Sequence, residues 1–214
     1  MVGRIFATNS NKQEDKQTAS VFSSLLHLPD DEFWNILRDS CYGNSLPETS
    51  GKIEFYEFWP HWPPDIDHVN YVEPDLFIRF EDFDVIIEAK RKDEYQQIEE
   101  QWNSEFSSYL IKYGLDNKKV YLLAVGGLNP INLSPENRKN IFVQKCRWRG
   151  LLDTLYSYLE KYENNNFVRI INDCIEYLEY FKFKKIKWLK EMDAVNYYKL
   201  NNNSINEAIK WRII

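Results

Sequence analysis

The chain is short of histidine, cysteine and long apolar runs, and each shortage removes a class of function. Three histidines in 214 residues supply a zinc enzyme or a Ser-His-Asp hydrolase poorly, and none sits in a metal-ligand or triad-like setting. Three cysteines, Cys41, Cys146 and Cys174, are odd in number, far apart and without metal-ligand spacing. They predict a reduced, cytoplasmic protein with no disulfide framework. The longest apolar run, Val120 to Val125, suits a buried strand and falls far short of the ~20 residues that cross a bilayer. Neither a signal peptide nor a membrane partner is expected. Excess positive charge is also missing. The net charge of −6 argues mildly against a nonspecific coat on nucleic acid. No helix-turn-helix, zinc finger, ATP-binding loop or internal repeat is present.

What remains is a well-cored globular chain, 43% hydrophobic and 16% aromatic, with 28% charge. One domain over residues 1–214 is expected, with a core at about 10–160 and a helical extension at about 165–214. Its charge is uneven. Acids crowd Glu81 to Glu100, while Arg138, Lys139, Lys145, Arg147 and Arg149 form one basic cluster. Lys182, Lys184, Lys185, Lys187 and Lys190 form another. An acidic centre flanked by basic segments is what a metal site beside a phosphate-tracking groove requires. Solvated helix faces are the alternative reading of the second cluster.

Asn11 followed by Glu14 marks a helix start, and Ala19, Phe22, Leu25 and Leu26 give it an apolar stripe that stops before Pro29. Asp30 caps a second helix carrying Phe33, Trp34 and Leu37. Strands are predicted at Lys52–Trp59, Tyr71–Phe80 and Phe83–Lys90, then a helix at Asp93–Tyr113. Further strands follow at Lys118–Val125 and Asn140–Trp148, with helices at Gly150–Tyr162 and from Phe167 to about Phe181. The pattern predicts an α/β protein with an αβββαβ core: a mixed central sheet flanked by helices, with extra C-terminal helices. The loop Pro60 to Asn70 holds His61, Asp65, Asp67 and His68 in no standard metal pattern and is read as touching substrate or partner.

One stretch gathers chemistry. Glu88 and Lys90 are two apart on a strand and share a face, and Asp75 lies on the strand before. A two-residue turn at Glu81-Asp82 places Asp75 opposite Glu88, and a four-residue loop places it opposite Lys90. An odd loop flips one strand and separates the three. Two adjacent carboxylates repel, and a hard divalent cation relieves that repulsion. Acid-x-lysine also occurs at Glu14-Asp15-Lys16 and Asp116-Asn117-Lys118, but only Asp75, Glu88 and Lys90 fall on successive strands followed by a helix.

Pro74-Asp75, then Glu88-Ala89-Lys90, then a helix with Gln97 and Gln101 resembles the PD-(D/E)XK nuclease superfamily. The resemblance covers roughly residues 10–150 at the level of layout. It implies a restriction-endonuclease-like fold and Mg²⁺- or Mn²⁺-dependent hydrolysis of DNA phosphodiesters, in restriction, repair or phage defence. It implies that Asp75, Glu88 and the Ala89 carbonyl hold the metal while Lys90 assists the attacking water. Glu14 matches a further metal-binding glutamate that many members carry, and it also fits as capping partner of Asn11. Gln97 and Gln101 would lie one turn apart, reaching towards the metal or the scissile phosphate, although members often have a tyrosine where Gln101 stands. Lys145, Arg147 and Arg149 are candidates for phosphate contact. A homodimer or a partner protein would supply specificity. A catalytically silent module that binds nucleic acid or a protein is the alternative.

Overall fold

Two hydrophobic periods build this molecule, and a computed structural model describes it over residues 11–64, 71–138, 141–162 and 165–185. Asp65, Asp67, His68, Lys139, Lys187 and Lys190 lie outside the described residues. Helical spacing gives α1 (Asn11–Leu25), α2 (Asp30–Ser40), α3 (Glu99–Tyr113), α4 (Trp148–Leu159) and α5 (Asn165–Tyr180). Strand alternation gives β1 (Ile53–Phe58), β2 (Leu76–Phe80), β3 (Phe83–Ala89), β4 (Lys119–Val125), β5 (Glu136–Arg138) and β6 (Ile141–Cys146). The protein is α/β, with a six-stranded mixed sheet in the order β1-β2-β3-β4-β6-β5. β1, β2 and β3 pair antiparallel, β3, β4 and β6 run parallel, and β5 closes the edge antiparallel to β6.

Both faces of the sheet are covered, so the central strands are apolar on both sides. One face carries Ile78, Val85, Ile87, Leu123 and Val125 against Phe22 of α1, Trp34 of α2, Leu152 of α4 and Cys174 of α5. The other carries Phe77, Ile86, Leu122 and Ala124 against Trp102, Phe106 and Tyr109 of α3, with Trp62 from the loop after β1. α5 therefore belongs to the same core as α1 and α4. By internal contacts the chain divides into residues 1–184 and 185–214. Among the described residues no helix is long and apolar enough to cross a membrane.

β2 starts at Leu76 rather than Tyr71, which leaves Asp75 just before it, and α4 starts at Trp148 rather than Gly150. Three further points differ from the sequence expectation. β5 was not foreseen, because three residues at a sheet edge leave little periodic signal. Asp30 is the first residue of α2 rather than its cap, and its carboxylate instead accepts the Ile53 N–H at 3.0 Å. The third difference matters most for function. α3 starts at Glu99, not Asp93. Residues 93–97 instead run beside Gly127-Leu128, where Gln96 N–H and Gln97 N–H both donate to the Gly127 carbonyl at 2.9 Å. Tyr95 takes φ +59° there, a backbone turn no helix accommodates.

Candidate active site

The register of the β2–β3 hairpin is even. Leu76 faces Ile87, Phe77 faces Ile86 and Arg79 faces Asp84, so Glu81-Asp82 is the two-residue turn. One step further along the same register sets Asp75 against Glu88. Asp75 Oδ2 accepts the Ala89 N–H at 2.8 Å, which fastens the end of β3 to the residue before β2. Lys90 follows as β3 ends, and its own N–H donates to the Val125 carbonyl at 2.8 Å. The three residues thus meet at the carboxyl ends of the parallel strands.

Their side chains make one network. Lys90 Nζ is paired with Glu88, donates to Gln101 Oε1 at 3.1 Å and lies 3.9 Å from Glu14 Oε1. Glu14 reaches across from α1, where its other oxygen accepts the Arg91 N–H at 2.8 Å. That contact, 77 residues away in sequence, puts Glu14 at the site.

α3 adds a residue that sequence reasoning missed. Glu105 is fully buried beside Glu88; no N–H or hydroxyl group donates to its oxygens, and a hydrogen bond shared with the Glu88 carboxyl holds it towards its protonated form. A signal was available: four residues after Gln101, an acid interrupts the apolar face of Trp102, Phe106 and Tyr109.

Burial sets the electrostatics. Asp75 is 9% exposed, Glu88 2% and Glu105 0%. Desolvation pushes the Asp75 carboxyl well above the usual range, and the Glu88 charge pushes it the same way. Glu105 is raised for the same two reasons. Glu88 is raised by burial although Lys90 opposes the shift. Burial works against the Lys90 ammonium, but Glu88 more than compensates and the amine is raised.

Asp84 shows how this chain treats a buried acid kept for structure. It lies on the same face of β3, fully buried, and Arg79 grips it with Nε and Nη2, each at 3.1 Å. Tyr109 Oη donates to it at 2.9 Å. Asp84 is fully paired, whereas Glu105 is not.

Gln97 and Gln101 do not share a helix face, because Gln97 precedes α3. Gln97 Nε2 donates to the carbonyls of Glu88 at 3.0 Å and Gly126 at 3.2 Å, and its Oε1 accepts from Trp102 Nε1 at 2.8 Å. It braces the backbone under Glu88. Gln101 and Glu105, one turn apart on α3, are the pair that meets Lys90 and Glu88.

The basic residues also separate. Lys145 is buried, ion-paired with Glu136 and donating to the Asn132 carbonyl at 3.1 Å. Arg147 pairs with Glu94 at 3.3 Å. Arg149 presents its side chain to solvent, 57% exposed and 3.8 Å from Asp93. Asp93 caps α4 from a distance, accepting the Trp148 N–H at 2.7 Å. Nearby, His61 pairs with Glu73 at 2.6 Å and stacks on Tyr71.

The loop after β4 packs against the backbone around Lys90. A Cβ at Gly126 would meet the Lys90 and Lys92 carbonyls at 2.6 Å and Trp148 Nε1 at 2.7 Å, with φ at +67°. That tryptophan donates to the Lys90 carbonyl at 2.7 Å. Left-handed backbone alone costs about 1–2 kcal/mol for a non-glycine residue. We expect Gly126→Ala to lower stability by at least ~2 kcal/mol in urea unfolding, since two carbonyls must also shift. An unchanged midpoint would show that this loop yields freely.

Among the described residues no three His, Cys, Asp or Glu side chains converge as a ready-made metal cage. Mg²⁺ requires only one or two carboxylates, with water and phosphate oxygens completing its shell. Comparison of the chain with protein-family models finds no match, and comparisons with curated proteins and with solved structures find none either.

Proposed function

We propose that this chain is a Mg²⁺- or Mn²⁺-dependent nuclease that hydrolyses DNA phosphodiester bonds, built on a restriction-endonuclease-like core. One observation carries the reading. Asp75, Glu88 and Glu105 are buried together around a single ammonium, while Asp84 on the same face receives a full set of partners. Burial holds these carboxyls towards their protonated forms, and a divalent cation would take the protons' place on the same oxygens. Hard carboxylate oxygens fit a hard divalent ion. Asp75, Glu88 and the Ala89 carbonyl would hold it, with Glu14 at the rim. When bound, such an ion supplies a water of lowered pKa and Lewis acidity at phosphate oxygen.

The chain's own residues do the rest. Lys90, held by Glu88 and Gln101, keeps a positive charge where negative charge develops on phosphorus. Gln97 fixes the carbonyl of Glu88, and Asp75 fixes the N–H of Ala89, so the strand end is preorganised before substrate arrives. Arg149 is available for a backbone phosphate. DNA as the substrate rests on the Pro-Asp and Glu-x-Lys resemblance.

The test is a cleavage panel of linear, circular, single-stranded and branched DNA with Mg²⁺, Mn²⁺ or EDTA. Cleavage with either metal and none in EDTA is the expected result. If no substrate is cut and calorimetry detects no metal binding, the nuclease reading fails. A nuclease-like module binding nucleic acid or protein then replaces it.

A further inference from the structure

Cys41 and Cys146 stand far apart in sequence, yet they face each other across the sheet edge. Cys41 leaves α2 in extended conformation, with φ −84° and ψ 152°. It forms an isolated antiparallel bridge with Cys146, the last residue of β6. Tyr42 N–H donates to the Lys145 carbonyl at 2.8 Å, so the hydrogen bond flanks the cysteine pair rather than joining it. Such non-hydrogen-bonded pairs are the narrow ones, with Cα atoms about 4.5 Å apart and side chains on the same side. A disulfide spans Cα separations of about 4.4–6.8 Å.

Both side chains lie in the same apolar cluster, Cys146 buried and Cys41 partly exposed, and both are free thiols. The Cys41 thiol is the foremost influence raising that of Cys146, whose Sγ donates to the Arg147 carbonyl at 3.3 Å. Cys174 supplies an internal contrast, buried with its thiol towards the Val21 carbonyl at 3.8 Å.

We propose that Cys41 and Cys146 are a disulfide-forming modification site, closed by a peroxide-class oxidant and reopened by thiol reductants. The Cys41 thiolate attacks a peroxide oxygen, the O–O bond breaks, hydroxide leaves and Cys41 becomes a sulfenic acid. The Cys146 sulfur then attacks the sulfenic sulfur, forming S–S as the S–O bond breaks and water departs. Overall two thiols lose two electrons and two protons, and hydrogen peroxide becomes two waters. Cys41 is the sulfur the oxidant reaches first, because it is the exposed member of the pair.

The bond would tie the end of α2 to the strand that leads into Arg147-Trp148, whose indole holds the Lys90 carbonyl. Because it closes a loop of roughly 100 residues, it constrains the unfolded chain strongly. The inference is independent of the nuclease reading, and its test uses no activity.

The full-length protein is treated with hydrogen peroxide, alkylated under denaturing conditions and peptide-mapped by mass spectrometry without reduction. A Cys41–Cys146 linked peptide, with Cys174 alkylated, is expected. The oxidised protein should also melt at least ~5 °C above the same sample after dithiothreitol. Cys41→Ser should abolish both effects, and being half-exposed it leaves the core of the fold undisturbed. Three alkylatable thiols after oxidation would overturn the proposal, as would a Cys41 sulfinic acid without linkage or a Cys41–Cys41 dimer on a non-reducing gel.

Discussion

Glu88→Gln should abolish DNA cleavage, by ~10³-fold or more, without lowering the melting temperature. The substitution keeps the shape of a side chain that is 2% exposed and removes only its charge. It takes away a hard anionic ligand and the Glu88–Glu105 charge repulsion together. Lys90 keeps Gln101 as a hydrogen-bond partner and Glu14 at 3.9 Å. Lys90→Ala is a poorer probe. It strips the counter-ion from buried acids, and breaking a buried pair costs about 3–5 kcal/mol. Lost activity in Lys90→Ala would therefore mix chemistry with unfolding. Side-by-side plasmid cleavage and thermal melts decide the matter, and a Glu88→Gln protein that cuts at the wild-type rate removes Glu88 from the reaction.

The second large effect is on stability and needs no substrate. Asp75, Glu88 and Glu105 all titrate above their ordinary values of 3.8, 4.5 and 4.5 once folded, because burial disfavours their charged forms. An acid raised by folding stabilises the native state fully below its unfolded pKa. It withdraws that stabilisation as pH climbs through the raised value. Metal-free protein should therefore lose stability as pH rises above about 4.5, with each such group contributing up to ~1.4 kcal/mol per pH unit. Glu105→Gln should flatten the profile and raise the melting temperature near neutrality. Added Mn²⁺ should stabilise the wild type increasingly with pH, since a cation competes with protons for the same oxygens. Denaturation midpoints at several pH values, with and without Mn²⁺, check this directly. Identical slopes for wild type and Glu105→Gln would show that Glu105 carries no such burden.

Much of the site was legible because strand periodicity is rigid. Alternation puts Glu88 and Lys90 on one face, and an even turn, of which the two-residue turn at Glu81-Asp82 is one of two workable forms, brings Asp75 to that face. Helix boundaries were less legible. Asp93 looks like a helix start, but its carboxylate serves α4, 55 residues on, and local sequence carries no trace of that bond. The displaced start then moved Gln97 off the helix. Glu105 was hidden for a related reason. An acid on a helix resembles solvated polarity until the helix is turned to show that face packed against the sheet. The sequence groups Lys145 with Arg147 and Arg149, yet β6 ends at Cys146 and α4 begins at Trp148, so Lys145 alone stays on the strand and pairs with Glu136.

The even turn at Glu81-Asp82 also bears on how this gene tolerates insertions and deletions. An indel of one codon there acts as a frameshift in space: the polypeptide downstream is unchanged, but Glu88 and Lys90 exchange faces with Ile87 and Ala89 relative to Asp75. Active descendants would therefore vary this turn in steps of two. Even those would contend with Glu81, whose carboxylate accepts the Lys52 N–H at 3.0 Å and leaves no space for a side chain at Gly51.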